Sequence, residues 1–320
     1  MTDTPLDAET LLGEAHEPFE AALSDPTAGP LAVVGDPYGG RETVLDRAET
    51  RLDATRVRLD QNTGADAVEA ALGDGPLVVD DCHQLYTRSV GGFEPLSSVL
   101  DALATADVPV VTGWNSYAWS YLDAVRDIET AFSTRTDVEG LSATQLLEFI
   151  RSKEASLPEF RRDELDEALL MTQEISLGST GRTVSVPMPN REAIEARRAD
   201  RPDPSDAVFE RLADLSNGDP GTALALWKRH HDAEILRPSA LEVPTTDETF
   251  DREAAFCLRI ILATERVARS TLSDRIGDRF DRLLGRFTRA GFVTVSNGVV
   301  QLDPAAVPTV AKITERGRIL

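Results

Sequence analysis

The run Gly35, Asp36, Pro37, Tyr38, Gly39, Gly40, Arg41, Glu42 and Thr43 is the part of this sequence best equipped to meet a phosphate group. Gly35 and Gly40 stand five positions apart, after an apolar run and before a helical pattern. Glycines so placed let the backbone curl until its amides converge on an anion, and the positive end of the following helix adds to the attraction. Two neighbours oppose that chemistry. Arg41 stands where a lysine would set a point charge on the phosphates, and a planar guanidinium is no equivalent. Glu42 stands where a hydroxyl would hold Mg²⁺, and it brings a negative charge instead; Thr43 supplies the hydroxyl only if the loop is displaced by one residue. Further on, Asp80 and Asp81 follow four apolar residues. Adjacent carboxylates at the end of a buried strand could serve a divalent cation, or simply terminate the strand.

A second chemistry is written near the C-terminus. Arg279, Arg282, Arg286 and Arg289 recur at helical spacing and form one stripe, with Phe280, Leu283, Leu284 and Phe287 on the opposite face. Such a stripe suits phosphate contacts and bidentate reading of guanine. Asp278 and Asp281 temper it, and the bland alternative is a solvated face paired with nearby aspartates. The surrounding pattern is helix (254–264), helix (268–277), helix (279–290), then two alternating strands around Asn297 and Gly298, then a helix. Three helices and a hairpin make a winged-helix arrangement, whose third helix enters the major groove of a duplex.

The elements that would carry the first set of residues alternate strand and helix. Apolar strands are expected at 31–35, 75–81 and 108–114, flanked by strands at 55–60 and 131–138, with helices between them. That alternation indicates an α/β fold with a parallel sheet. A helix over 9–23 precedes it, and 141–227 reads as mostly helical, interrupted by an extended loop or hairpin at 178–192. Proline-rich breaks at 200–204 and 237–247 mark the likeliest boundaries. Three units follow: 1–140, 141–245 and 246–320. The aromatic run Trp114, Tyr117, Trp119 and Tyr121 reads as core packing rather than a base-stacking surface.

Composition excludes several classes. No apolar run approaches the roughly 20 residues of a membrane helix, and the acidic N-terminus is no signal peptide, so no membrane insertion and a cytoplasmic location are expected. Cys82 and Cys257 with four histidines show no zinc spacing and no disulfide framework. The net charge is −22, and lysine occurs only at 153, 228 and 312. In this the chain resembles proteins of salt-loving archaea. The charge is unevenly spread: residues 251–320 carry +4 and the remainder −26. A basic tail on an acidic body is the expected footprint of nucleic-acid contact.

Taken as a set, these motifs resemble the AAA+ and STAND branches of the P-loop NTPases, including archaeal ATPases that end in winged helices. Residues 212–227 strengthen the likeness, since they look like the small helical lid of those proteins, with a Gly-x-Pro-Gly turn at 218–221. The resemblance implies ATP and Mg²⁺ as cofactors, with Gly35, Gly39, Gly40, Arg41, Glu42 and Thr43 around the phosphates. It also implies Asp80 as the metal residue, Asp81 as its catalytic partner and Asn115 as sensor of the γ-phosphate. The lid usually carries an arginine after its turn, where Thr222 and Ala223 stand here; Lys228 and Arg229 come later. The departures at Arg41 and Glu42 favour weak or absent hydrolysis. The leading expectation is therefore a regulator that binds double-stranded DNA through its C-terminal unit. An active ATPase remodelling DNA or protein partners, and a protein–protein adaptor, stay open. A homo-oligomer would place Arg88, Arg126 or Arg135 across a subunit boundary.

Overall fold

The computed structural model describes residues 6–25, 29–60, 63–163, 170–177, 182–189, 203–230 and 233–317. Helices α1 (Ala8–Leu12) and α2 (His16–Ser24) replace the single expected helix, because Gly13 takes a left-handed conformation (φ +49°) and a short 3-10 turn follows. Then come β1 (Leu31–Gly35), α3 (Arg41–Leu52), β2 (Thr55–Arg58), α4 (Ala65–Ala71), β3 (Leu77–Asp80), α5 (Glu94–Ala104), β4 (Val110–Asn115), α6 (Ser116–Arg126) and β5 (Thr134–Asp137). The five strands form one parallel sheet in the order β2-β3-β4-β1-β5.

Burial explains this order. β1, β3 and β4 are buried along their whole length, as strands covered on both faces must be, whereas the edge strands β2 and β5 each leave two positions exposed. Leu31 and Val33 point to one side of β1, with Val44, Leu45 and Ala48 of α3. Ala32 and Val34 point to the other, with Leu96 and Val99 of α5 and Trp114 and Trp119. Those two tryptophans stand edge to face at 5.6 Å, fully within the core. The chain is thus α/β with a glycine-rich loop between the first strand and its helix, the P-loop arrangement.

The segment after the sheet departs from the helical expectation. α7 (Ala143–Lys153) begins at a capping box made by Ser142 and Gln145, and β6 (Glu159–Phe160) follows. The strands β7 (Leu170–Leu177) and β8 (Arg182–Pro189) pair antiparallel from Leu170↔Pro189 to Leu177↔Arg182. The β-branched content of the sequence there (Thr172, Ile175, Thr183, Val184 and Val186) favours extended chain over helix. The rest of the expected loop at 178–192, and most of the break at 200–204, lie outside the described residues. α8 (Pro204–Ser216) and α9 (Pro220–Lys228) pack on α7 around Phe209, Leu212 and Trp227, and β9 (Ile235–Leu236) pairs with β6.

The C-terminal module contains α10 (Arg252–Thr264), β10 (Arg266–Ala268), α11 (Arg269–Ile276), α12 (Phe280–Arg289), β11 (Val293–Ser296), β12 (Val299–Leu302) and α13 (Val307–Arg316). Its strands form an antiparallel sheet in the order β10-β12-β11. Asn297 and Gly298 both have positive φ, as a tight two-residue hairpin turn requires. Phe280, Leu283, Leu284 and Phe287 of α12 close the core over α10. α10 is buried on nearly every face because it also packs on α6 of the sheet body. Among the described residues, no helix is long and apolar enough to cross a membrane.

Candidate functional site: the phosphate loop and its internal partners

The loop leaving β1 is shaped by two left-handed residues, Tyr38 (φ +64°) and Gly40 (φ +96°), and closed by a hydrogen bond from the Gly39 amide to the Asp36 carbonyl (2.9 Å). A Cβ at Gly40 would also lie 2.9 Å from Leu11 of α1, so glycine is needed there twice over. Gly113 in β4 clears the floor of the site: a Cβ there would meet Leu45 at 2.6 Å and Asp80 at 3.1 Å.

Over that gap lies Arg41, the first residue of α3, and its guanidinium is buried. It donates to Asp81 (3.0 Å) and to Glu265 (3.3 Å), and it stands 3.7 Å from Asp80. Burial works against its charge, but Glu265, Asp80 and Asp81 outweigh that and raise its pKa. Asp80 uses one oxygen to accept from the Asp81 amide (2.8 Å) and the other to accept from Arg56 (2.8 Å). Asp81 has a positive φ (+59°), which an aspartate tolerates better than most residues, and accepts from Arg58 (3.1 Å) and Arg266 (2.5 Å). Burial would raise its pKa; His83, Arg41, Arg266 and Arg58 hold it below the ordinary value.

Asn115 ends β4 and caps α6, its side-chain oxygen accepting from the Tyr117 and Ala118 amides. Its amide nitrogen donates to the Leu262 carbonyl (3.0 Å) and to Glu265 (3.1 Å). Glu42 is exposed and pairs with Arg58 at 3.4 Å; Thr43 stands half-buried at the start of α3, its amide bonded to the Gly40 carbonyl. The structure therefore brings Gly35, Gly39, Gly40, Arg41, Glu42, Thr43, Asp80, Asp81 and Asn115 to one end of the sheet. The turn at 218–221 joins them. The Gly221 amide donates to the Tyr38 carbonyl (3.0 Å), and the Asp219 carboxyl packs against Gly39. Burial, with Asp36 and Glu265 nearby, pushes the Asp219 carboxyl up to about 8. Ser116 donates to Asp36.

A cavity of about 380 Å³ lies over the loop. Asp36, Glu42, Asp80, Asp81 and Glu265 line it against Arg41, Arg58 and Arg266. A magnesium nucleotide needs positive donors for its phosphates and free carboxylate oxygens for its ion. Here Arg41 is committed to carboxylates and both Asp80 oxygens accept hydrogen bonds. Among the described residues no cluster of three or more metal-ligating side chains occurs. The residues as arranged do not fit Mg·ATP.

Several residues of this network were not foreseen. Arg56 and Arg58 had a signal, since they are two apart on β2, the strand that pairs with β3 in the register Arg58↔Asp80. His83 is buried with both ring nitrogens lacking a hydrogen-bond partner, and burial lowers its pKa. Gln84 donates to the Thr264 carbonyl (2.9 Å). Glu265 and Arg266 come from the C-terminal module, more than 180 residues from Asp81, and no spacing in the sequence announces them.

The second candidate set divides in two. Arg279 lies in the 3-10 turn before α12 and pairs with Asp251 (3.2 Å) and Glu253; Arg286 pairs with Glu248 (2.7 Å) and lies 4.8 Å over the Phe250 ring. Arg282 and Arg289 are exposed and make no ion pair among the described residues. Arg88 stacks on Tyr121 (3.7 Å), Arg126 stands over Phe93 (4.7 Å), and Arg135 pairs with Asp137 (2.7 Å).

No family model matches the sequence, and no curated protein matches it. Similar solved structures include the RuvB Holliday junction branch migration motor of Thermotoga maritima, with 16% identity over 96% of this chain and 97% of that one, and a TM-score of 0.42. They also include the ORC2 protein of Aeropyrum pernix (12% identity, 98% and 96% coverage, TM-score 0.39) and a Walker-type ATPase of Pyrococcus abyssi (13%, 97% and 98%, TM-score 0.40). Overlaps of this size carry no argument about chemistry. The fold class stands on the strand order and loop position of this chain itself.

Proposed function

We propose that this chain is a regulator that binds double-stranded DNA through a C-terminal winged helix, carried on an AAA+-type P-loop scaffold with little or no ATP hydrolysis. One observation supports it above the others: α12 leaves Arg282 and Arg289 exposed and without an ion pair among the described residues, on a module whose α10 and α10–β10 junction are docked on the body. Arg151, Arg211, Arg252 and Arg316 are also exposed without an ion pair among the described residues, but Arg282 and Arg289 share one groove-sized helix, and phosphate is the partner their chemistry favours. The hairpin tip at 294–298 is exposed as well, as a wing lying along the backbone would be.

The test is a shift assay of the full chain on duplex DNA across a range of KCl. Each phosphate contact contributes a slope of about −0.9 in log affinity against log salt. Replacing Arg282 and Arg289 with alanine should therefore make the slope shallower by about 2. Binding unchanged by the double substitution would remove the proposal. ATP turnover that disappears in Asp80→Ala would instead favour the ATPase reading. In a high-salt cytoplasm the electrostatic share shrinks, and contacts to base edges would carry more of the affinity.

A further inference from the structure

We infer that Glu265 and Arg266 are an internal ligand of the phosphate site, and that they pin the C-terminal module to the P-loop body in the place a nucleotide would otherwise occupy. This goes beyond the DNA-binding reading and does not depend on it. Four residues around the loop, Arg41, Asn115, Asp81 and Tyr38, are bound by the C-terminal module. Arg41 and the Asn115 amide converge on one oxygen of Glu265, at 3.3 and 3.1 Å. Asp81 accepts from Arg266 at 2.5 Å. Tyr38, in the loop itself, donates its hydroxyl to the Leu302 carbonyl at 2.7 Å.

A carboxylate oxygen held by a guanidinium and an amide N–H is served as a phosphate oxygen would be. The helix end reinforces the match. α10 delivers its last carbonyls to the site, where Asn115 takes Leu262 and Gln84 takes Thr264, so groups that would lack partners at a helix terminus are satisfied by the body. Glu265 has a left-handed backbone (φ +58°), a conformation that costs a non-glycine residue about 1 kcal/mol or more and persists where surrounding contacts hold it. Those contacts are the ones just named. The docked module therefore takes donors that a phosphate would need, and release of the pin would free Arg41 and Asn115 from Glu265 together with the module itself.

Hydrogen exchange on the full chain tests this. Two variants are compared with the parent: Glu265→Gln, which keeps shape and removes charge, and the double substitution Glu265→Ala with Arg266→Ala. Exchange at 36–43 and 264–268 should quicken by about tenfold or more in both, the scale of one lost charge-assisted hydrogen bond. Exchange at 280–289 should stay as slow as in the parent, which separates undocking from unfolding. Unchanged exchange at 36–43 in both variants would overturn the inference. So would slower exchange at 36–43 when Mg·ATP is added to the parent with 264–268 still protected, since nucleotide and pin would then coexist. Neither readout involves DNA, so failure here leaves the DNA-binding reading to its own assay.

Discussion

At the head of the parallel sheet, Arg41, Arg56, Arg58 and Arg266 converge on the adjacent carboxylates Asp80 and Asp81; on α12, Arg282 and Arg289 are exposed and no carboxylate among the described residues pairs with them. The residue type is the same and the surroundings differ. In the first region, burial makes each uncompensated charge expensive, so guanidiniums and carboxylates accumulate until they balance. In the second, solvent screens the charge and leaves it available to a partner. An arginine's role in this molecule is therefore set by what stands within about 4 Å of it and how dry that space is.

The largest expected effect comes from breaking the first region. Arg41→Ala would leave the buried Asp80 and Asp81, and Glu265 beside them, with one donor fewer. The cost should be about 3–5 kcal/mol, visible as a lower urea midpoint. Arg41→Lys should cost less but not nothing, because an ammonium cannot span Asp81 and Glu265 as the fork does. An unchanged midpoint in Arg41→Ala would mean that water already neutralises these carboxylates, and the contrast between the regions would disappear.

A smaller effect sits at the turn before α9. The folded pKa of Asp219, about 8, lies above its ordinary value of 3.8. Between those values the folded chain keeps a proton that the unfolded chain has released, so this group makes stability fall as pH rises and contributes no further slope above about pH 8. Asp219→Asn should flatten that decline and raise stability above pH 8 by about 1–3 kcal/mol, the scale of one buried polar group's desolvation. Urea midpoints measured at intervals from pH 5 to 9 would show it. A parent whose stability rises over that range while Asp219→Asn leaves the profile unaltered would contradict the shift.

These two effects also show what was readable beforehand. Strands β1, β3 and β4 were legible because full burial writes itself as continuous apolar runs, and the loop because Gly35 and Gly40 have few other reasons for that spacing. Asp80, Asp81 and Asn115 followed from their strand ends. Their occupants did not: Glu265 looks like any acidic residue after a helix, and its partner Arg41 lies 224 positions away. Long-range ionic pairing has no period, so it leaves no mark on local sequence. The strand at 170–177 was missed for a different reason, since a short run of mixed apolar and polar residues satisfies helical and extended patterns alike.

The smallest expected effect separates the members of the stripe, which spacing alone makes equivalent. Arg286 donates to Glu248 and to the Thr249 carbonyl (3.0 Å), and its guanidinium covers the Phe250 ring. To reach a phosphate it would have to leave all three. Arg286→Ala should therefore cost stability by about 0.5–1 kcal/mol, because the pair is partly exposed, and should leave the salt slope of DNA binding nearly unchanged. Arg282→Ala should do the reverse, making the slope shallower by about 0.9 with no measurable change in urea midpoint. If Arg286→Ala shifts the slope as much as Arg282→Ala does, the carboxylate contacts of the free chain yield to DNA on binding. The guanidinium's partners in isolation would then be a poor guide to its job, and the distinction drawn between α12 and the sheet would hold only for the buried region.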